Sequence, residues 1–201
     1  MSEPTVVTRT PNRRRSYLAV RMLCEGGIML ALALVLNAFK LIQFPNGGSV
    51  DLAMIPIFFF AIRWGVGPGL LVGFVFGLLQ MFIDGAIAWG WQSLLLDYLV
   101  AFTPLGLAGL FRYRKGGIFA GTLLGCILRF IVHYISGVTI YAIVAPTELF
   151  AMTFTEPWMY SLAYNGSYML VDTVICLAVF ALLYNPLRKY FLAEDIRPIK
   201  N

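Results

Sequence analysis

The sequence predicts an all-α integral membrane protein, a single bundle of six transmembrane helices with both termini in the cytoplasm. Three observations predict it. Hydrophobic residues make up 60% of the chain and charged residues only 12%, with a mean hydropathy of +0.80; a soluble domain carries about a quarter charged residues to solvate its surface. The apolar residues gather in six runs, most of them near the ~20 residues that cross a hydrocarbon layer of about 30 Å. Basic residues fall on alternate connections, which orients the spans.

The N-terminal stretch MSEPTVVTRTPNRRRS is polar and basic. Residues 1–19 are expected to be a disordered cytoplasmic tail. A cleavable signal peptide is not expected, because the apolar run behind it is too long and lacks a small-residue cleavage site. Residues 20–190 form the membrane domain and 191–201 a cytoplasmic C-terminal tail. The spans fall at about 20–42, 51–63, 66–84, 91–111, 117–142 and 160–185. The second is short, consistent with a tilted or partly interfacial helix. The third follows RWGVGPG, whose closely spaced glycines and proline allow only a tight hairpin. Gly69, Gly73 and Gly77 form two overlapping GxxxG patterns on the third span, read as internal packing; Gly27 and Ala31 on the first form a small-residue stripe able to admit a partner helix closely.

Arg9, Arg13, Arg14, Arg15 and Arg21 precede or open the first span. Arg63, then Arg112, Arg114 and Lys115, occupy two connections on the same side, and Arg188, Lys189, Arg197 and Lys200 follow the last span. The opposite connections hold Asp51, Asp84, Glu148 and Glu156, with Lys40 the one nearby base. The net charge of +5 therefore faces the cytoplasm and anionic membrane lipid, and nucleic acid is not an expected partner. Cys24, Cys126 and Cys176 sit in apolar runs without metal-type spacing. No GxxxxGK[ST] loop is present, so the chain has no visible means of using ATP.

Charged groups inside membrane helices are costly and face the bundle interior. Asp97, Arg129 and Asp172 are such groups. His133, the only histidine, lies roughly 25 Å along the fifth span from its cytoplasmic end, at 1.5 Å per residue. Asp97 and Tyr98 begin the fourth span near the same level, and Tyr160, Tyr164 and Asn165 begin the sixth. Positions 129, 133, 137 and 141 share one helix face, bringing Arg129, His133, Gly137 and Tyr141 into register. A site at this level is expected to include His133, while Arg129 is read as a structural group, with Asp172 as one candidate partner. Trp89, Trp91 and Trp158 fit either an interfacial belt or the site.

The stretches RMLCEGGIMLALAL, RWGVGPGLLVGFVFGLLQ, LLLDYLVAFTPLGLAG, HYISGVTIY and YSLAYNG give the chain a resemblance over about residues 20–190 to the thiamine-specific substrate-binding subunits of energy-coupling-factor (ECF) vitamin transporters. The resemblance implies a vitamin site near the outer face, no enzymatic activity and no cofactor. It further implies a complex with a membrane coupling subunit and two cytoplasmic ATPases, docked through small residues such as Gly27 and Ala31. Residue by residue it implies substrate contacts from Asp97 and Tyr98, from His133, Gly137 and Tyr141, and from Tyr160 and Asn165. Two positions depart from the family: Asp97 stands where Glu is expected, and Tyr141 where Trp is common. Thiamine carries a thiazolium cation and a flat aminopyrimidine, which suit a carboxylate and aromatic faces. Three other readings remain open. One is a subunit for another vitamin or a thiamine precursor. Another is an intramembrane enzyme using Asp97, His133 and Asp172, against which stands the lack of an HExxH motif or second histidine. The last is a scaffold without ligand.

Overall fold

A computed structural model describes residues 11–44, 47–83, 90–144, 147–149 and 152–197, without the side chains of 11–12, 140–144 and 147–148. Six helical elements follow in order: α1 (Pro11–Ala38), α2 (Met54–Trp64), α3 (Val66–Ile83), α4 (Trp91–Phe111), α5 (Gly117–Val144) and α6 (Pro157–Phe191). All but α2 are long and apolar enough to cross a membrane. Two small antiparallel hairpins interrupt the all-helical expectation. Strand β1 (Ile42–Gln43) pairs with β2 (Ser49–Val50), and β3 (Thr147–Leu149) with β4 (Met152–Phe154).

Two stretches differ from the sequence expectation. Helix α1 already includes residues 11–19, which that expectation places in the tail. At the other end α6 runs on through Pro186 to Phe191, and residues 192–197 fold back onto the bundle instead of trailing away. The helix stops at Ala193, whose φ of 51° is left-handed. The amide of Glu194 then donates to the carbonyl of Lys189, the long-range bond of a Schellman end. The Ala193 methyl is fully buried, which offsets the strain of a non-glycine residue there.

This return brings Asp195 beside Arg63, at the end of α2. The Arg63 side chain is 2% exposed, and its fork is shared between two carboxylates. It donates to Glu25 at 2.6 and 3.1 Å and to both oxygens of Asp195 at 2.7 Å. Arg21 bonds the same two acids at 2.8 and 2.6 Å, and the Trp64 indole N–H donates to Glu25 at 2.7 Å. Arg14 donates to the Arg197 carbonyl. The start of α1, the end of α2 and the C-terminal turn thus meet at one end of the molecule. Removing either acid would leave the buried Arg63 with one carboxylate partner in place of two.

Helices α3 and α4 touch backbone to backbone. A Cβ on Gly73 would strike the carbonyl of Phe102, one on Gly77 the carbonyl of Tyr98, and one on Gly69 would lie 2.7 Å from the Ala61 methyl and 2.9 Å from the Gly106 Cα. The glycine pattern of the third span is therefore an internal contact. It holds a helix that is itself irregular: Leu94–Val100 is a π-helical turn and Thr103–Phe111 is 3₁₀. Such π segments are rare and gather at functional sites; this one carries Asp97 and Tyr98.

Gly73→Val is expected to melt at a markedly lower temperature in detergent, the overpacking costing roughly 1–3 kcal/mol or more. Gly27→Ala, with nothing within 4 Å of the added carbon, should melt like the parent. A second expectation concerns acid. Hydrogen bonds from Arg63 hold the Asp195 carboxyl at about 2, below its ordinary 3.8. The folded value is the lower one, so this group's contribution is complete above about pH 4 and disappears as pH falls toward 2. That amounts to roughly 2 kcal/mol. Thermal unfolding followed through that window should show a steeper acid loss for the parent than for Asp195→Asn.

Candidate functional site

The residues expected at one level do converge, at the end of the bundle remote from the Arg63 network. The π turn of α4 presents Asp97 to α5. Asp97 Oδ1 lies 3.0 Å from His133 Nδ1, and Oδ2 accepts hydroxyl bonds from Ser93 at 2.7 Å and Ser136 at 2.8 Å. A quarter of the Asp97 side chain remains accessible. Among the described residues no lysine or arginine pairs with it, so its charge is answered by two neutral hydroxyls and one imidazole.

On α6, Asn165 donates from one amide nitrogen to the His133 carbonyl and to Ser161 Oγ, both at 3.0 Å, and accepts from the Tyr168 hydroxyl at 2.8 Å. Its valence toward α5 is thus committed to the protein. Gly137 lies where α5 crosses α6, and a Cβ there would strike Ser161 Oγ and sit 2.7 Å from Asn165 Nδ2. Its missing side chain sets the approach of the two helices. Tyr160 and Tyr164 stack with ring centroids 5.6 Å apart and an interplanar angle of 12°, and Tyr168 meets Tyr164 edge-on at 5.7 Å. Phe44 and Phe154 close on this aromatic column from the two hairpins, at 6.3 Å from Tyr164 and 6.1 Å from Tyr160. Gly48 donates its N–H to the Tyr164 hydroxyl at 2.8 Å; any side chain at 48 would meet the Tyr164 and Tyr168 rings. Tyr98 is partly buried on the π turn. Trp89 and the side chain of Tyr141 lie outside the described residues. Trp91 and Trp158 are both exposed, at the starts of α4 and α6.

Arg129 stands one turn below His133 and links several elements. Its Nε donates to His133 Nε2 at 3.3 Å, its guanidinium lies 4.3 Å from the Phe102 ring centroid, and its Nη1 is 3.7 Å from Asp172 Oδ2. Asp172 in turn accepts from the Asp51 amide at 3.1 Å, where the chain enters α2. The offset in depth between Arg129 and Asp172 is bridged by the length of the arginine side chain.

Sequence reasoning missed Ser93, Ser136, Ser161 and Tyr168. A signal existed for Tyr168, since 160, 164 and 168 recur every four residues on one face with 161 and 165. Nothing in the spacing marks the serines, which are common in membrane helices as packing residues.

The family model described as thiamine transporter protein matches residues 23–192. The thiamine transporter ThiT of Bacillus subtilis (strain 168) is 37% identical over 177 residues, covering 81% of this chain and 89% of that protein. ThiT of Lacticaseibacillus paracasei is 30% identical over 193 residues, 87% of this chain and 92% of its own. The solved structure of ThiT from Listeria monocytogenes superimposes with a TM-score of 0.73 over 86% of this chain and 98% of that one. Its 22% identity makes it a statement about fold. These are transporters rather than enzymes, and both the match and the apolar helices fit a multi-pass protein of the cell membrane. The chain is a member of the thiamine transporter family.

Proposed function

We propose that this protein captures thiamine at the outer face of the membrane, as the substrate-binding subunit of an ECF-type importer whose partner ATPases drive uptake. The observation that carries the reading is Asp97: an accessible carboxylate, held by hydroxyls and an imidazole, with no lysine or arginine paired to it among the described residues. A permanent thiazolium supplies the missing charge, and the tyrosine column with Phe44 and Phe154 offers π faces for it or for the pyrimidine. The names of the related proteins point to the same ligand. Asp97, Tyr98, His133, Tyr141 and Tyr160 are the proposed contacts. Asn165 and Gly137 act through the α5–α6 crossing, which sets the shape those contacts share.

Six crossings with both termini cytoplasmic remain the preferred topology, and parity supports it. The hydrogen bond of Arg14 to the Arg197 carbonyl and the ion pair of Arg21 with Asp195 put the first half of α1 beside residues 195–197. Five crossings would separate them, so the eleven-residue α2 counts as the sixth, lengthened by the extended residues before it. Docking of the coupling subunit is assigned to the outward stripe of α1. Gly27 and Ala31 are exposed there, and nothing lies within 4 Å of a Cβ on Gly27.

Thiamine titration by intrinsic fluorescence tests the site. Asp97→Asn should lose about 3 kcal/mol of binding, a hundredfold or more, while Asp97→Glu should retain it. Parental affinity in Asp97→Asn would remove the carboxylate from the site. For docking, Gly27→Trp and Ala31→Trp should abolish uptake in cells that supply the coupling module and leave binding by the purified protein within a few-fold of the parent. Full uptake in both would dismiss this face.

A further inference from the structure

The two ring nitrogens of His133 are both engaged, and their partners leave little choice of proton. On one side stands the Nε–H of Arg129, which can only donate; on the other stands the Asp97 carboxylate, which when ionised can only accept. His133 Nε2 must therefore be the lone-pair nitrogen and Nδ1 the N–H. A second proton on the ring would set an N–H at Nε2 against the N–H of Arg129. It would also give Asp97 a cation of its own.

Arg129 has neighbours on two further helices. Phe102 of α4 lies under its guanidinium, Asp172 of α6 draws its Nη1, and Asp172 is itself anchored by the Asp51 amide. The remaining neighbour of the imidazole on α6 is the Tyr168 ring, met edge-on at 6.0 Å. Among the described residues, the charged and titratable groups facing His133 are thus Asp97 from α4, Arg129 from its own helix and Tyr168 from α6, with Asp172 beyond Arg129.

We propose that Arg129 is a positioning residue for the binding site: by donating to Nε2 it holds His133 as the neutral Nδ1–H imidazole, so that the Asp97 charge stays uncompensated until a cationic ligand arrives. The arginine touches no ligand. It acts through the histidine, and the result is a carboxylate that is oriented by a ring N–H and is not neutralised by it. The inference deepens the thiamine reading and depends on it for the cation, but its first test does not.

Because His133 is the only histidine, protein labelled with ¹⁵N-histidine reports one ring. Without ligand, the parent should show a pyrrole-type Nδ1 and a pyridine-type Nε2, unchanged across the range in which free histidine titrates, about pH 5 to 8. In Arg129→Met the ring should take a second proton toward the acid end. Thiamine affinity of that variant should then fall about tenfold between the alkaline and acid limits, while the parent stays flat. Arg129→Met also strands Asp172, so the Arg129→Met/Asp172→Asn double variant is measured beside it and should show the same pH slope with better stability. A structural role alone would lower stability or affinity without a change of tautomer or slope. A pyridine-type Nδ1, or an imidazolium at neutral pH in the parent, overturns the proposal, and should the variants fail to fold this measurement decides it. A parent with the expected tautomer that ignores thiamine would sink the thiamine reading and leave the assignment of Arg129 intact.

Discussion

A guanidinium within an apolar bundle has to be matched where it lies, since its transfer from water costs several kcal/mol when it is left alone. Arg129 imposes that requirement on this fold. Its surroundings recruit an aromatic ring from α4, a carboxylate from α6 and the imidazole of its own helix. The carboxylate recruits the first amide of the segment leading into α2. Four elements are brought to one point by the need to satisfy one side chain. The reward for function is indirect: the imidazole so fixed points its other nitrogen at Asp97.

Where Asp97 itself stands is a matter of backbone geometry. The glycine face of α3 allows α4 to approach until main chains touch, and that contact runs from the carbonyl of Tyr98 to Gly106. Along the same stretch α4 passes from π to 3₁₀ geometry. A wide turn followed by a tight one changes the azimuth of the side chains between them without breaking the helix. Asp97 is thereby turned toward Ser136 and His133. The carboxylate is held by a distorted helix, and the distortion is held by the absence of side chains on its neighbour.

Much of this was legible in the sequence, and the parts that were not share a cause. Depth could be read: a rise of 1.5 Å per residue put Asp97, His133 and Asn165 at one level, and there they meet. The glycine-lined face of α3 could be read as internal. Azimuth could not be read, because helices that are apolar on all sides carry no pattern to say which face turns inward. For that reason the bonds of Asn165 to the backbone of α5 and to the Tyr168 hydroxyl were not foreseen. The serines around Asp97 and the Tyr168 hydroxyl went unremarked for the same reason. The pairing of Arg63 with Glu25 and Asp195 joins residues 38 and 132 positions apart, and separations of that size leave no mark on local composition. The return of 192–197 onto the bundle accompanies that unforeseen cluster.

The same cluster says something about how the protein is made. Glu25, Arg63 and Asp195 leave the ribosome in that order. By the time α2 is inserted, Glu25 is already in place and Asp195 does not yet exist. Through the synthesis of α3 to α6 the arginine therefore has half of its final complement of acid. The second carboxylate arrives only after the last of the six helices, which ends at Phe191, has been synthesised. A chain released shortly before residue 195 would hold all its spanning segments and still expose an ill-matched charge, a mark by which a membrane protease could tell an unfinished copy from a finished one.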